Sequence, residues 1–219
     1  MRRYIFLRLV LAALVLPMAA RVSPLLAQSA PAGAQKSAPL PSPPAEKIAI
    51  PGVHNAGKVT SLFFRGSSPK PEAFAELKKL GVSTVIDLRW ERGQIESERK
   101  RVEALGMKFV SLPLSGWFSP KNDQVAQFLK TLREHPVEKV FVHCHFGDDR
   151  TGVLVAAYRI AEQHWTAEQA IKEMDQFHFH DFWHPNMKSY VRKFPAAFAS
   201  DPVFASLRSP QTPPPAYRR

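Results

Sequence analysis

The sequence contains a single cysteine, Cys144, among its 219 residues. One cysteine excludes an intramolecular disulfide framework and any zinc site built from several thiolates. Charges of one sign never occur five in a row, so the chain lacks the acidic or basic tracts that mark interaction tails. Hydrophobic residues nevertheless make up 45% of the chain. That fraction is ample for a packed core and excludes a wholly disordered protein.

The formal charge of +11 is concentrated towards the ends of the chain. Residues 1–27 carry four arginines and no acid, whereas residues 48–200 hold 21 basic against 17 acidic residues, a net of +4. A nucleic-acid surface requires a clustered basic stripe with interleaved aromatic residues. The sequence has no such stripe, and we therefore expect no nucleic-acid partner.

Residues 1–27 have the form of a secretory signal peptide. A basic start is followed by an apolar run of 12 residues, Leu9–Ala20, and by small residues near Ala27 where cleavage would occur. The run is short for a bilayer span, which takes about 20 residues. We expect cleavage and export to the periplasm or beyond. The alternative is an uncleaved anchor, which would be the chain's one contact with a membrane.

The 20 prolines divide the rest of the chain. Residues 28–47 are rich in Pro, Ala and Ser and are typical of a disordered linker. Residues 201–219 are also proline-rich and predict a disordered tail. A single folded domain is therefore predicted over residues 48–200.

Apolar periodicities of two and of three to four alternate along this domain. β-branched and aromatic runs predict strands at 59–64, 82–87, 107–114 and 139–143. Helical spacing predicts helices at 70–80, 94–105, 120–132, 151–162, 166–177 and 186–194. Gly81 and Gly106 stand where helix C-caps are expected. The alternation predicts an α/β fold with a central, mostly parallel sheet flanked by helices.

The clearest chemistry lies in the segment His143-Cys-His-Phe-Gly-Asp-Asp-Arg-Thr-Gly152, which follows a predicted strand and opens a predicted helix. Backbone N–H groups of such a loop, at the positive end of a helix dipole, bind a tetrahedral dianion. The same field favours the thiolate of Cys144. The planar fork of Arg150 suits two phosphate oxygens. We therefore predict that Cys144 and Arg150 are catalytic.

The other positions of this loop are predicted to bind the phosphate; they are His145, Phe146, Gly147, Asp148, Thr151 and Gly152. The Thr151 hydroxyl is expected to donate to the Cys144 sulfur, and the two glycines to permit tight turning and close helix packing. The Asp148 side chain is expected to face solvent. His143 is expected to orient the loop through hydrogen bonds.

The pattern Cys-x5-Arg-Thr-Gly, preceded by His, resembles the signature loop of the cysteine-dependent protein tyrosine and dual-specificity phosphatases. Phe63-Phe-Arg-Gly-Ser67, Leu80–Arg89 and Leu112-Pro-Leu114 look like the N-terminal half of the bacterial dual-specificity type, so that the resemblance covers about residues 50–195. It implies a protein tyrosine phosphatase-like fold. It also implies a two-step hydrolysis in which Cys144 attacks phosphorus, Arg150 and the loop amides stabilise the transferring group, and water then releases phosphate.

The resemblance implies neither a metal nor a cofactor, since the loop itself supplies the positive charge. The expected partner is a phosphorylated protein or a small phosphomonoester, and the chain is expected to be a monomer. Two acids in the loop, Asp148 and Asp149, should repel polyanionic headgroups, which favours phosphotyrosine with wider tolerance. The alternatives are a phosphoinositide or inositol phosphate phosphatase, a phosphate-binding module without turnover, and a sulfurtransferase or redox protein.

Two aspartates compete for the role of general acid. Asp123 is the one acid in the loop 115–123, where the family usually places it, but it stands three residues after Pro120 and also suits the first turn of a helix. Asp149 immediately precedes Arg150, an arrangement similar to that of myotubularin-like loops. Both are predicted as catalytic candidates, and the choice stays open at this point.

Other polar and aromatic residues have a structural and a functional interpretation. The cluster His178, His180, Asp181 and His184 is interpreted as polar joints between helices rather than as a metal site. Arg65 and Arg89 are expected to form surface ion pairs, with pocket lining as the alternative. Trp117 and Phe118 either stack on an aryl phosphate or pack as a lid.

Overall fold

The computed structural model describes residues 42–209, and they form the mixed α/β fold that the sequence predicts. A six-stranded sheet runs in the order β1-β2-β3-β6-β4-β5. Its strands are β1 (Glu46–Lys47), β2 (Gly57–Lys58), β3 (Phe63–Gly66), β4 (Val82–Asp87), β5 (Lys108–Ser111) and β6 (Lys139–His143). The pairs β3–β6, β6–β4 and β4–β5 are parallel, whereas β1, β2 and β3 pair antiparallel. The sheet is therefore mostly parallel, as predicted.

Seven α-helices accompany the sheet within the described residues. They are α1 (Ala73–Lys79), α2 (Arg92–Ala104), α3 (Asn122–Glu134), α4 (Asp149–Gln163), α5 (Ala167–Gln176), α6 (Pro185–Ser200) and α7 (Ala205–Arg208). Gly81 (φ +90°) and Gly106 (φ +67°) follow the ends of α1 and α2 in the left-handed region, which confirms the predicted C-caps. A capping box closes the start of α5: Thr166 Oγ1 accepts from the Gln169 N–H at 3.2 Å, and Gln169 Oε1 accepts from the Thr166 N–H at 2.8 Å. No helix in residues 42–209 is long and apolar enough to cross a membrane.

Side chains on strands β3 to β6 alternate between two hydrophobic cores. Phe63 and Ile86 point into a core shared with α3 to α6, whereas their neighbours Phe64 and Val85 point into a core shared with α1 and α2. This period of two follows from the pleat of a strand that is buried on both faces. The sheet therefore lies between two helical layers.

The folded region is wider than the predicted span of 48–200. At the N-terminal side, Trp165 Nε1 donates to Ser42 Oγ at 2.9 Å, and the N–H of Ala45 donates to Glu173 Oε2 at 2.7 Å. The last residues of the predicted linker therefore pack on α5, and β1 adds an edge strand. These residues, which the sequence assigned to the linker, thus have packing partners in the structure.

The predicted tail is also partly folded. A 3₁₀ turn at Pro202–Phe204 leads into α7, and both Phe204 and Leu207 are buried. Phe204 packs edge-on against Phe194 with ring centroids 5.5 Å apart. Helix α6 continues past Pro195 to reach this aromatic cluster, although the sequence predicted its end at Phe194. The predicted signal peptide and residues 210–219 lie outside the described residues.

The parallel strands end in register, and this positions the site. Gly66 and Asp87 both pair with His143, and Asp87 also pairs with Ser111. The segments that follow these residues therefore emerge at one edge of the sheet. In open α/β sheets, ligands bind at the carboxyl ends of the strands.

Candidate active site

The signature loop, residues 144–148, connects the end of β6 to the start of α4. Cys144 follows the central strand of the sheet directly, and its side chain is buried. The N–H of Gly147 donates to Cys144 Sγ at 3.3 Å. Arg150 is the second residue of α4 and is half-buried. The two residues predicted to be catalytic thus bracket one loop at the positive end of a helix dipole.

Gly147 is required by the shape of this loop. Its φ is +78°, and a Cβ at this position would lie 2.3 Å from the carbonyl carbon of Gly66. Its carbonyl accepts from Arg65 Nη2 at 2.7 Å and from Asn55 Nδ2 at 3.1 Å. The loop therefore rests directly on the end of β3. By contrast, a Cβ on Gly152 would make ordinary contact with Met174, so close helix packing does not require this second glycine.

Arg65 lies beneath the loop and is completely buried, so the expectation of a surface ion pair is wrong. Its guanidinium stacks on the ring of Phe177 at 4.1 Å from the centroid. Burial lowers the pKa of Arg65 to about 10, against the opposing effect of Glu173 and Cys144. The side chain stays charged at neutral pH and places a fixed positive charge below the phosphate-binding loop.

Arg89 is also buried, in a network of charges behind the nucleophile. Its Nε and Nη2 bind the two oxygens of Asp87 at 3.0 and 2.8 Å, and Nη2 also contacts Glu98 Oε2 at 2.5 Å. His143 Nε2 lies 2.7 Å from Glu98 Oε1, and its Nδ1 lies 3.0 Å from the carbonyl oxygen of Cys144. Burial opposes the charged imidazole, but Glu98 and Asp87 outweigh it and raise the pKa of His143.

This network confirms that His143 orients the loop through hydrogen bonds. Arg89, in contrast, neither lies on the surface nor forms the exposed ion pair that the sequence predicted. Sequence reasoning missed Glu98, which shares one face of α2 with the buried Ile95 and Val102. Its position between two apolar residues at helical spacing is the signal that could have found it.

Asp148 is buried, which contradicts the expectation that it faces solvent. Its Oδ1 lies 4.0 Å from Cys144 Sγ and accepts from the N–H of Asp149 at 2.7 Å. Burial, together with the charge of Asp149, raises the pKa of Asp148. Sequence reasoning placed Asp148 in the phosphate-binding loop but missed its burial, because neighbouring acids at a helix start usually serve as solvated caps.

Asp149 points towards the segment between α5 and α6. Its Oδ1 accepts from the N–H of His180 at 2.9 Å, and its Oδ2 lies 3.4 Å from both His180 Nδ1 and His184 Nε2. The other members of the predicted histidine cluster point elsewhere. Asp181 pairs with Lys188 at 2.6 Å, and His178 Nε2 contacts Lys47 Nζ at 3.4 Å.

Asp123 lies in the exposed first turn of α3, where its Oδ1 accepts from the N–H of Gln124 at 2.9 Å. This is the first-turn position that the sequence offered as the alternative to a catalytic role for Asp123. Within residues 42–209, its carboxylate forms no hydrogen bond or ion pair with the signature loop. Of the three aspartates, Asp148 is the one that contacts Cys144 within the described residues.

The remaining predicted site residues divide between the interior and the rim. Thr151 Oγ1 is buried and has no hydrogen-bond partner among the described residues, so the expected donation to Cys144 is not present. His145 and Phe146 are exposed on the rim and pack their rings edge to face. Trp117 and Phe118 are exposed too, and their loop is fixed by Asn186, whose Nδ2 donates to the Trp117 carbonyl at 3.1 Å.

Comparison with known proteins shows which family this chain resembles. A protein-family model described as "PTP-NADK: DSP-PTPase phosphatase fused to NAD+ Kinase" matches residues 52–192. The dual specificity protein phosphatase TpbA of Pseudomonas aeruginosa (strain UCBPP-PA14) is 29% identical, over 64% of this chain and 62% of the relative. The inositol diphosphatase DSP3 of Arabidopsis thaliana is 32% identical, over 54% of this chain and 60% of the relative. The chain thus spans less than two thirds of the length of these curated relatives.

Solved structures share the fold. The crystal structure of P. aeruginosa TpbA aligns with a TM-score of 0.59 at 25% identity, covering 71% of this chain and 96% of that one. The core catalytic domain of SIW14 from S. cerevisiae aligns with a TM-score of 0.56 at 19% identity, over 64% of this chain and 85% of that one. Because the family model matches well over half of the chain and includes the whole signature loop, the chain belongs to the dual-specificity-type protein tyrosine phosphatase family.

Proposed function

We propose that this chain hydrolyses phosphate monoesters through a phosphocysteine intermediate. The observation that carries the proposal is the setting of Cys144 in the loop that leads into α4, six residues before Arg150. Its buried sulfur accepts a hydrogen bond from the N–H of Gly147 at 3.3 Å. Cys144 Sγ attacks phosphorus, and the bond to the leaving oxygen breaks. Water then attacks the phosphocysteine, which releases phosphate and restores the thiolate. Arg150 and the loop amides hold the equatorial oxygens in both steps.

We assign the proton donor for the leaving oxygen to Asp148. Its carboxyl contacts Cys144 Sγ at 4.0 Å, and the residue is buried. Asp149, the candidate from the sequence, is held by the N–H of His180 at 2.9 Å and serves as a positioning residue for the start of α4. Asp123 stays in its helical turn. In the second step the Asp148 carboxylate takes a proton from the attacking water.

Phosphotyrosine is the substrate class that this site favours. Trp117 and Phe118, in the loop before α3, and Phe146, in the signature loop itself, are each more than 60% exposed. Such rings are suited to stacking on a phenyl group. A structural relative, P. aeruginosa TpbA, has been crystallised in complex with pTyr. The acidic pair beside Cys144 disfavours polyanions. Inositol phosphates are the second candidate, because a relative at 32% identity is an inositol diphosphatase.

The experiment compares Cys144→Ser, Asp148→Asn and Asp123→Asn on two leaving groups. Cys144→Ser should abolish turnover of every substrate. Asp148→Asn should lose about 10²-fold or more on phenyl phosphate and little on p-nitrophenyl phosphate, whose leaving group needs no proton. Asp123→Asn is the matched control and should resemble the wild type. Full activity of Cys144→Ser would overturn the assignment, and the phenyl-specific loss in Asp123→Asn would move the acid to that loop. Rates on phosphotyrosine peptide and inositol polyphosphate then decide the substrate class.

We also propose export from the cytoplasm, on the basic start and apolar run of residues 1–27. The mass of the mature protein purified from the periplasm tests this. A shortening of about 27 residues is the expected result, and a full-length product retained with the membrane fraction would indicate an anchor instead.

A further inference from the structure

Two carboxylates and two imidazoles converge at the start of α4. His180 Nδ1 lies 3.4 Å from Asp148 Oδ2 and 3.4 Å from Asp149 Oδ2, while His184 Nε2 lies 3.4 Å from the same Asp149 oxygen. Ligand atoms of Asp148, Asp149 and His180 all lie within 4.8 Å of one another. The two histidines come from the segment between α5 and α6, 30 residues or more from the aspartates along the chain.

Three separations within this cluster suit a coordination shell. N–H···O hydrogen bonds in proteins are about 2.7–3.2 Å long, so that the contact of His180 Nδ1 with Asp149 Oδ2, at 3.4 Å, is a long hydrogen bond. Zinc binds imidazole nitrogen and carboxylate oxygen at about 2.0–2.2 Å. In a regular tetrahedron with such bonds, neighbouring ligand atoms are about 3.3–3.6 Å apart. The three separations of 3.4 Å match this edge.

The charge balance of the cluster also favours a cation. Within residues 42–209, the ion-pair partners of Asp148 and Asp149 are these histidines alone, whereas the nearby Asp181 has Lys188. His180 is half-exposed, which leaves a path for an ion from solvent. We propose that Asp148, Asp149, His180 and His184 form a binding site for a divalent cation of the zinc class, which accepts mixed nitrogen and oxygen ligands.

This site gives the phosphatase a means of regulation. A cation bound there occupies the Asp148 carboxylate and links the start of α4 to the 180–184 segment. The inhibition rests on the proposed function, because it follows from the withdrawal of Asp148 as proton donor. The binding itself rests on the four side chains and requires no turnover.

The test measures zinc binding and turnover separately, on the full chain without an affinity tag. Binding of Zn²⁺ is measured by competition with a chromophoric chelator, in a Cys144→Ser background that removes the thiolate as a ligand. We expect one zinc per chain. His180→Ala should weaken binding at least tenfold, since it removes a ligand but keeps the backbone N–H that Asp149 uses. His178→Asn is the matched control: it removes an exposed histidine of the same segment and suits the positive φ at that position.

The outcomes separate the two proposals. The site would be overturned if His180→Ala bound zinc as tightly as the Cys144→Ser parent. It would also be overturned if His178→Asn lost as much affinity as His180→Ala, because zinc would then bind adventitiously to surface histidines. Loss of binding on introducing Cys144→Ser would assign the metal to the thiolate and also overturn it. Zinc should inhibit the wild-type enzyme, and a chelator should reverse the inhibition. In His180→Ala the zinc concentration that gives half-maximal inhibition should rise at least tenfold. Binding without any phosphatase activity would refute the proposed function and leave the site intact.

Discussion

Arg65 Nη2 donates a hydrogen bond to the Gly147 carbonyl at 2.7 Å, from beneath the signature loop. This contact fixes the peptide plane between Gly147 and Asp148, while the N–H of Gly147, in the preceding peptide plane, donates to Cys144 Sγ. The guanidinium also puts a positive charge under the site, while its Nε and Nη1 have no partner among the described residues. A single buried side chain thus fixes both the shape and the potential of the loop.

Replacing Arg65 should reduce activity more than stability. Arg65→Met removes the shorter of the two hydrogen bonds to the Gly147 carbonyl and leaves only that from Asn55. Misplacement of the loop by about 1 Å is expected to lower kcat roughly 100-fold. The free energy of unfolding should change by less than about 1.5 kcal/mol, because an apolar side chain of similar volume also removes the cost of burying a charge. Steady-state kinetics, vanadate affinity and urea unfolding measure the three effects. Wild-type vanadate affinity in Arg65→Met would contradict the role of Arg65 in shaping the loop. Arg65→Lys shows whether a positive charge alone restores the activity.

Gly147→Ala should disable the site through the backbone. Its φ of +78° disfavours an L side chain, and the Cβ would collide with the backbone of Gly66 and Ser67. We expect a loss of at least about 1–3 kcal/mol in unfolding free energy and turnover close to that of Cys144→Ser. Gly93→Ala, in α2, is the control, since nothing lies within 4 Å of a Cβ there. If Gly147→Ala were as stable and active as Gly93→Ala, the close approach of residue 147 to the backbone of Gly66 would be refuted.

Glu98 should make the stability depend on pH. Because the folded pKa of His143 is raised above the unfolded value of 6.5, the charged imidazole contributes stability that is fully present below that value. The contribution is lost as pH rises through the folded pKa. Glu98→Gln should therefore lower stability most at pH 6 and flatten its decline at higher pH. Urea unfolding between pH 6 and 9 measures this.

The control for this experiment is Glu96→Gln, because Glu96 is an exposed residue of the same helix and pairs with Arg99 at 3.6 Å. Exposed pairs of this kind contribute about 0–1 kcal/mol, and its pH profile should follow the wild type. Identical profiles for Glu98→Gln and the wild type would exclude the His143–Glu98 pair as the source of the dependence.

The residues after α6 should contribute to stability. Phe204 is fully buried and packs on Phe194, so Phe204→Ala should cost about 3–5 kcal/mol of unfolding free energy. Truncation after Ser200 should be at least as costly. Truncation after Ser209 is the control and should leave the thermal midpoint unchanged. Equal midpoints for the two truncations would show that α7 does not belong to the folded unit.

Much of the fold follows from local patterns. Two predicted strands, 82–87 and 139–143, match β4 and β6 to the residue, because β-branched runs between turn signals have one favourable conformation. The positions of Cys144 and Arg150 follow in the same way, since a short loop between a strand and a helix leaves them little freedom. The phosphatase resemblance, drawn from a few adjacent residues, is confirmed by the family match.

The errors concern residues whose environment is formed by distant segments. Arg65 and Arg89 look like surface charges in the sequence, but they are buried because Gly147, Phe177 and Glu98 arrive from elsewhere in the chain. The packing of 42–47 and 201–208 was missed for the same reason. Proline-rich composition predicts disorder locally, whereas a few buried aromatic and backbone contacts are enough to order such segments.

The sequence by itself determined the signature loop with Cys144 and Arg150 and the alternation of strands and helices, since each depends on residues that are neighbours in the chain. Only the tertiary structure decided which acid stands beside Cys144 and which charges support the loop. Asp123, Asp148 and Asp149 are chemically equivalent in the sequence. Burial and charge separate them, and both depend on how the 180–184 segment, α2 and β3 pack around one edge of the sheet.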